Sequence, residues 1–326
     1  TPVAFLLDPA HGWEMTDYPH WPFGVSPINR GDRALRELFG VAYYPLPAVE
    51  GEPATADRQA FVNAVFGDIF DVVVADEARA AALDNYRALV VGGRVREWSP
   101  AWAAKLESYV RAGGTILFNE AQAEGLREDF LGVRRAGGEG EADEAVCHSP
   151  GEAKTDLRGQ VFRFARVVPH AAATEVLLAT RAGEPLVTVR RLGRGRVIYC
   201  AIPDLLGLDE RFVPAAAHLF AHLTAHTTPI DVAGDVEYSL NRNDRGWVVT
   251  LFNNRGVTKH QQGLAQVDRR EVVTAAVTLR GARLAAAREW IGDKPLEVRR
   301  DADKGADGVR LDLPPGAVAV VELVEK

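Results

Sequence analysis

Short apolar runs alternate with segments of helical spacing along the first third of the chain. The runs are rich in Val, Ile and Leu, as strands buried on both faces are, and the segments between them repeat apolar positions every three to four residues. The predicted strands span residues 3–7, 41–46, 70–76, 87–93 and 115–119. The predicted helices span residues 31–40, 55–66, 77–86 and 99–114. Buried strands separated by helices predict an α/β fold with an open, doubly wound and mostly parallel sheet.

The pattern changes near Gly137, after which strand-like segments predominate. Apolar and polar positions alternate on both sides of the sequence LGRGR at residues 192–196, which predicts a hairpin, and residues 211–227 have helical spacing. We expect these segments to complete one α/β domain at residues 1–229. Residues 230–326 hold short alternating strands separated by Gly, Asp, Asn and Pro, which is typical of a β-sandwich domain.

The composition is that of an ordinary globular protein and argues against two classes of partner. The 326 residues are 47% hydrophobic and 25% charged, with a net charge of -7. A nucleic-acid-binding protein would need a basic patch, and a membrane span would need a run of about 18 apolar residues, so neither nucleic acid nor a membrane is an expected partner. The chain begins at Thr1 and its only methionine is Met15, which favours a fragment of a longer protein. The sequence leaves the cellular compartment open.

The two cysteines do not suggest a disulfide framework. Cys200 ends the apolar run RVIYC, so we expect it to behave as a small core residue. Cys147 lies in a polar stretch, where an exposed side chain is expected.

The segment after the first predicted strand concentrates chemically versatile side chains. Residues 6–24, LLDPAHGWEMTDYPHWPFG, hold two Trp, two His, two Asp and a Glu. Indole faces can stack on sugar rings while nearby polar groups bind hydroxyls, and a saccharide site requires this combination. The predicted saccharide-binding residues are Asp8, His11, Trp13, Glu14, Asp17, His20 and Trp21. The alternative is a loop that packs over the sheet and buries its aromatic side chains.

The same loop supplies candidates for catalysis. A glycosidase needs two carboxyl groups about 5–9.5 Å apart, and Asp8, Glu14 and Asp17 are near one another in sequence. Proximity in sequence does not establish that separation, so the catalytic residues stay unknown at this point.

Three further patterns are weighed against simpler structural interpretations. His218, His222 and His226 recur every four residues and would share a helix face that can chelate a metal, but a half-exposed helix face explains them better, and no metal or cofactor is predicted.

Gly92 and Gly93 precede Arg94 and Arg96, a turn that can hold an anion, yet no dinucleotide or P-loop pattern is present. In the C-terminal domain, a sugar-binding face is conceivable at Trp247, Phe252, Asn253, Asn254 and Trp290, although the alternation around Trp247 favours a core position.

Several stretches, in their order along the chain, resemble one known family. YRALVVGG at residues 86–93 and YVRAGGTILF at residues 109–118 resemble the glutamine-amidotransferase-like domain, called the trimerisation domain, of β-galactosidases of glycoside hydrolase family 42. GEPLVTVRRLGRGRVIYCAIP at residues 183–203 is similar to its closing hairpin, and GVRLDLPPGAVAVVELV at residues 308–324 is similar to the last strands of the small β-domain that ends many glycoside hydrolases. The resemblance implies a class I amidotransferase-like, flavodoxin-like α/β domain followed by a sandwich. The (β/α)8 barrel that carries catalysis in that family needs about 250 residues, for which this chain has no room.

An active amidotransferase is not expected. Its nucleophile is a Cys on a sharp strand-to-helix turn, activated by a nearby His, whereas the strand at residues 115–119 delivers Asn119 and Glu120. Glu120 is a candidate polar contact at the carboxyl edge of the sheet, where ligands bind in such folds. The alternative is a first-turn acid favoured by the helix dipole.

Together these features predict a non-amidotransferase accessory region of a carbohydrate-active, glycoside hydrolase-like protein, which assists assembly and shapes a saccharide-binding site. The expected partners are a carbohydrate ligand and an upstream (β/α)8 barrel domain, and self-association is left open. Two alternatives stand beside this interpretation: a stand-alone glycoside hydrolase that uses carboxylates of residues 8–24, and a non-catalytic carbohydrate-binding module.

Overall fold

The computed structural model describes residues 2–7, 70–75, 77–92, 97–148, 156–170, 173–203, 219, 222–223, 227–258, 264–301 and 305–326. The described residues up to Thr227 belong to one compact unit, and those from Thr228 onward belong to a second.

A nine-stranded mixed sheet forms the framework of the first unit. Its strands are β1 (Val3–Leu7), β2 (Phe70–Val74), β3 (Ala88–Gly92), β4 (Thr115–Asn119), β5 (Val133–Cys147), β6 (Asp156–Pro169), β7 (Thr174–Ala179), β8 (Pro185–Leu192) and β9 (Gly195–Cys200). They lie in the order β2-β1-β3-β4-β9-β8-β7-β5-β6. The four pairings from β2 to β9 are parallel, and the four from β9 to β6 are antiparallel.

The helical segments described in this unit are few. They are α1 (Pro100–Ala112), α2 (Glu128–Leu131), the two 3₁₀ segments Glu77–Asn85 and Glu120–Gln122, and the helical residues 219 and 222–223. Helix α1 buries Trp102, Leu106, Tyr109 and Val110. These side chains join one apolar core with the inward residues of β3, β4 and β9.

The predicted α/β fold with an open, doubly wound and mostly parallel sheet is wrong. Strands predominate in the part of the chain that the structure describes, and half of the pairings in the large sheet are antiparallel. The segment predicted as a helix at residues 77–86 is the 3₁₀ segment Glu77–Asn85. The predicted helices at residues 31–40 and 55–66 lie outside the described residues, whereas the strands predicted at residues 3–7 and 115–119 are confirmed.

Strand β5 accounts for much of the difference between the predicted and the observed fold of the first unit. It contains the acidic, glycine-containing stretch GGEGEADEA, a composition that is depleted in strands and that the sequence pattern did not identify as one. Pairing with strand β6 holds it in the sheet, and one of the contacts is that Glu141 pairs directly across from Arg163, with 3.3 Å between Arg163 Nε and Glu141 Oε1. Cross-strand pairs of opposite charge stabilise such a ladder, so this strand depends on its tertiary partner.

The second unit is a β-sandwich, as predicted for the C-terminal region. Its strands are β10 (Ile230–Ala233), β11 (Glu237–Asn243), β12 (Gly246–Phe252), β13 (Val257–Thr258), β14 (Gln266–Val267), β15 (Val273–Arg280), β16 (Leu284–Glu289), β17 (Lys294–Pro295), β18 (Arg299–Asp301), β19 (Ala306–Leu313) and β20 (Val318–Glu325). One sheet has the order β10-β15-β19-β18, a second has the order β11-β12-β20-β16-β17, and β13 pairs with β14 alone. Inward residues of the two larger sheets, such as Val277 and Val309 on one and Val249 and Val321 on the other, share one core.

None of the helices in the described ranges combines the length and the apolar character that crossing a membrane would require.

Candidate functional site

The five parallel strands of the first unit end at the same edge of the sheet. The register sets Leu7 beside both Val74 and Gly92 and sets Asn119 beside Cys200. In sheets with parallel strands, ligands bind outside the carboxyl ends of the strands. The aromatic residues 8–24 follow Leu7 in the sequence, so the described side chains at the carboxyl edge are the ones that bear on a ligand site.

An ion pair lies at this edge. Glu120 opens the 3₁₀ segment immediately after β4, and Arg135, near the start of β5, places its Nη2 2.8 Å from Glu120 Oε1. A carboxylate has about four acceptor positions and a guanidinium has five N–H donors. The pair therefore keeps capacity for hydrogen bonds to the hydroxyls of a ligand.

Two buried polar groups flank the pair. Asn119 Oδ1 has no hydrogen-bond partner in the part of the chain that the structure describes, and the Tyr199 hydroxyl interacts with the Arg135 guanidinium. Tyr199 pairs with Phe118, the neighbour of Asn119, so the two polar side chains emerge on opposite faces at the ends of β4 and β9. A buried polar group without a partner costs about 1–3 kcal/mol, and such a cost is often found where a ligand supplies the partner.

The environment keeps the Tyr199 phenol protonated. Burial raises the pKa of Tyr199 far above its usual value, the Glu120 carboxylate raises it further, and the Arg135 guanidinium opposes the shift. A neutral phenol can both donate and accept a hydrogen bond. This edge can therefore bind polar groups, but it contains no activated nucleophile among the described side chains.

Aromatic packing holds the 3₁₀ segment in place. Trp98 Nε1 donates to the Gln122 main-chain oxygen at 2.8 Å, and the Trp98 ring meets Phe118 edge-on with 6.5 Å between centroids. Phe118 in turn meets Phe130 edge-on at 6.1 Å. Because Phe118 precedes Asn119 in β4, this cluster fixes the base from which Asn119 and Glu120 project.

The cysteines are not placed for nucleophilic chemistry. Cys200 is fully buried, its Sγ donates to the Ile202 main-chain oxygen at 3.6 Å, and burial raises its thiol pKa to about 12. The nucleophile in cysteine catalysis is the thiolate, which this environment disfavours. The expected core position of Cys200 is confirmed. The expected exposure of Cys147 is wrong, because Cys147 ends β5 opposite Leu178 and is buried there.

Most of the predicted site residues lie outside the described residues, so their roles stay predictions. These are Asp8, His11, Trp13, Glu14, Asp17, His20 and Trp21, together with Arg94, Arg96, His218 and His226. His222 is described and is helical. Its ring Nε2 lies 3.5 Å from Arg196 Nη1.

The aromatic and amide residues considered for a sugar-binding face of the sandwich do not share one surface. Asn253 is fully buried, and its Nδ2 donates to the main-chain oxygens of Glu271 at 3.0 Å and Leu313 at 2.8 Å. Trp247 packs against the core, in agreement with its predicted position. Trp290 is half-exposed, and its Nε1 donates to Glu322 Oε2 at 3.4 Å.

Sequence reasoning missed Arg135 and Tyr199. Arg135 lies in the strand that was not predicted, and Tyr199 lies in a predicted strand in which only Cys200 was considered individually. One signal was present in the sequence, since a buried tyrosine hydroxyl usually requires a partner. Which groups lie near the Tyr199 hydroxyl, however, depends on the pairing of β4 with β9.

No family model and no curated protein matches the sequence. Solved structures do match it. A catalytic mutant of Gan42B, a GH42 β-galactosidase from G. stearothermophilus, is 14% identical with a TM-score of 0.55, and the match covers 100% of this chain and 40% of that chain. The β-galactosidase from Bacillus circulans sp. alkalophilus is 13% identical with a TM-score of 0.52, covering 99% of this chain and 41% of that one. The α-L-fucosidase isoenzyme 2 from Paenibacillus thiaminolyticus is 13% identical with a TM-score of 0.59, covering 100% and 48%.

At these identities the likeness concerns the fold. The resemblance to family 42 β-galactosidases noted in the sequence is confirmed at that level. The chain matches glycoside hydrolases over essentially its whole length and spans less than half of theirs. Neither the architecture nor the matched structures support describing the first unit as a glutamine-amidotransferase-like trimerisation domain.

Proposed function

We propose that this chain is an accessory region of a carbohydrate-active protein and that the carboxyl edge of its parallel strands, together with residues 8–24, shapes a saccharide-binding site. The observation that carries the proposal is the set of polar groups at that edge: the Glu120–Arg135 ion pair beside Asn119 Oδ1, which has no partner among the described residues, and the Tyr199 hydroxyl, which interacts with Arg135. Sugars offer several hydroxyls at fixed angles, and this set offers both donors and acceptors.

The aromatic segment would complete such a site. Trp13 and Trp21 follow β1 in the sequence, and indole faces provide the apolar platform that polar groups alone cannot provide. Polar groups fix the orientation of a ligand, whereas stacking buries the apolar face of the ring. We therefore propose that Asn119, Glu120 and Arg135 form hydrogen bonds to the sugar and that the aromatic segment stacks on its ring.

The extent of the fold likeness supports an accessory role. The matched glycoside hydrolases are more than twice as long as the region they share with this chain. A catalytic barrel needs about 250 residues, and we propose that such a domain, encoded with this chain, would be its partner. The assembly role has support at the sheet margin, where the terminal strand β6 exposes Val161 and Val168, because apolar side chains on an edge strand favour association.

Saccharide binding can be tested by titrating the whole chain with lactose and with L-fucose while following tryptophan fluorescence. We expect saturable quenching, and we expect Glu120→Gln to weaken binding by about tenfold, because it removes a charged acceptor. The matched control is Glu107→Gln on α1: Glu107 and Glu120 are each 23% exposed and each pairs with an arginine, at 2.7 Å and 2.8 Å. Equal losses in the two variants, or no quenching by either sugar, would refute the proposed site.

The alternative, a stand-alone hydrolase, can be distinguished from the accessory role by an activity assay. Such an enzyme would release nitrophenol from 4-nitrophenyl β-D-galactopyranoside, and Glu14→Gln or Asp17→Asn would abolish the release if these carboxylates act as the catalytic pair. We expect no turnover by this chain alone. Turnover that those variants abolish would replace the accessory role by catalysis.

A further inference from the structure

A cavity lies on the same sheet, towards the amino ends of the parallel strands and away from the polar groups of the carboxyl edge. It has a volume of about 90 Å³, and the described residues that line it are Glu175, Val176, Leu177, Val189, Arg191, Arg196 and His222. A single water needs about 10–15 Å³ by this measure, so the cavity can accept a small polyatomic ion. Arg196 lies opposite Thr115, the first residue of β4, whereas Glu120 follows the last, so the two sites occupy opposite edges of the sheet.

Two like charges face each other at this cavity. Arg191 on β8 and Arg196 on β9 are direct cross-strand partners, so their side chains emerge side by side on one face. Like charges in this position destabilise a sheet. Glu175 partly offsets the charge of Arg191, with its Oε1 3.6 Å from Arg191 Nε. It is the one acidic residue among the described residues that line the cavity.

The groups within hydrogen-bonding distance of the Arg196 side chain, among the described residues, are neutral. Its Nε donates to Thr115 Oγ1 at 3.1 Å, its Nη2 donates to the His222 main-chain oxygen at 3.4 Å, and its Nη1 lies 3.5 Å from the His222 ring. Burial lowers the pKa of Arg196, and Arg191 lowers it further. A half-buried guanidinium beside a second cation is a costly arrangement, and an anion would offset the cost.

We propose that this cavity binds a small oxyanion, of phosphate or carboxylate type, between Arg191 and Arg196. Guanidinium groups present paired N–H donors that match two oxygens of such an anion. The apolar side chains of Val176, Leu177 and Val189 form the remainder of the wall and leave room for a small organic body attached to the anionic group.

The test is isothermal titration calorimetry of the whole chain with sodium phosphate and, separately, with sodium acetate, each at an ionic strength held constant with sodium chloride. We expect saturable binding of at least one of the two anions. Binding of phosphate alone, or of acetate alone, assigns the type of oxyanion, and binding of both assigns a site for either.

Three variants separate a binding site from a structural role. Arg191→Gln should weaken binding by about tenfold, the effect of one charge-assisted hydrogen bond, and should not prevent folding because the Arg191 side chain is 76% exposed. Glu175→Gln should tighten binding, because it removes the negative charge that competes for Arg191; a purely structural ion pair would not produce this gain. The control is Arg163→Gln, whose side chain is 71% exposed and lies 3.3 Å from Glu141.

Two results would overturn the oxyanion site. One is the absence of saturable heat for both anions above the chloride baseline. The other is an equal loss of affinity in Arg191→Gln and Arg163→Gln, which would indicate general surface electrostatics. Either failure would leave the saccharide proposal standing, since the two sites share no residue.

Discussion

At the scale of single residues, the second unit depends on a buried carboxylate. Asp307 is fully buried, the Leu284 main-chain N–H donates to its Oδ2 at 2.9 Å, and Arg283 Nη1 donates to its Oδ1 at 3.3 Å. The hydrogen bond from Leu284 lowers the pKa of Asp307, and the Arg283 charge adds to this effect against the opposing effect of burial. The folded-state pKa therefore lies below the unfolded value of about 3.9.

The consequence is a stability contribution that depends on pH. It is fully present above about pH 4 and is lost as the pH falls through the depressed folded-state pKa of the carboxyl. We expect Asp307→Asn to lower the free energy of unfolding at neutral pH, and we expect the difference from the parent chain to shrink as the solution is acidified. Urea unfolding at a series of pH values measures both. Asp244→Asn, at an exposed turn residue between β11 and β12, should leave the profile unchanged, and a difference that keeps its size in acid would contradict the assignment.

At the scale of elements, α1 shows how completely a local sequence can specify a helix. Ser99 Oγ accepts a hydrogen bond from the Trp102 N–H at 3.3 Å, and Pro100 occupies the first helical position, where no donor is needed. Gly113 ends the helix with φ at +124°, and its N–H bonds to the Val110 oxygen at 2.9 Å. All of these signals are local, so the sequence alone predicted the helix.

The contribution of the Ser99 cap to the stability of helix α1 can be measured. We expect Ser99→Ala to lower the free energy of unfolding by about 1 kcal/mol, because one main-chain donor loses its acceptor. Ser99→Asp should retain the stability, because a carboxylate can cap the same donor and is favoured at a helix N-terminus. Urea denaturation followed by tryptophan fluorescence reports on the unit through Trp98 and Trp102. An aspartate variant as unstable as the alanine variant would show that the side chain does not act as a cap.

Strand β5, unlike helix α1, is not specified by its local sequence. Its glycines and glutamates favour neither helix nor strand, and local periodicity could not identify it. Its position is set by β6 and β7, which lie on either side of it in the sheet. Arg135 belongs to this strand, so the partner of Glu120 could not be predicted even though Glu120 itself was.

At the scale of the whole molecule, each unit has a core of its own. Among the described residues, the core of the second unit is drawn from positions between Ile230 and Leu323, and the described strands of its two larger sheets all fall between Ile230 and Glu325. A domain with a closed core can fold alone. The domain limits predicted from the sequence, residues 1–229 and 230–326, therefore lead to a direct experiment.

We expect a fragment of residues 228–326 to give the circular dichroism of a β protein and to unfold cooperatively on heating. Leu251 is fully buried in this core, so Leu251→Asp should abolish the transition by burying an unpaired charge. A fragment that shows no cooperative transition would mean that the second unit depends on other parts of the chain, and the predicted boundary would be wrong.

The sequence by itself determined the elements whose signals are local. Alternating apolar positions and turn residues identified the sandwich with its strands β11, β12, β15, β19 and β20 and the hairpin at residues 192–196, and caps identified α1, because these features act over a few neighbouring residues. Tertiary structure alone decided that antiparallel strands would extend the sheet, so that the predicted fold class failed. It also decided that Arg135 would meet Glu120. Such contacts join residues distant in the chain, and their free energy is set by strand pairing and burial, which no local pattern encodes.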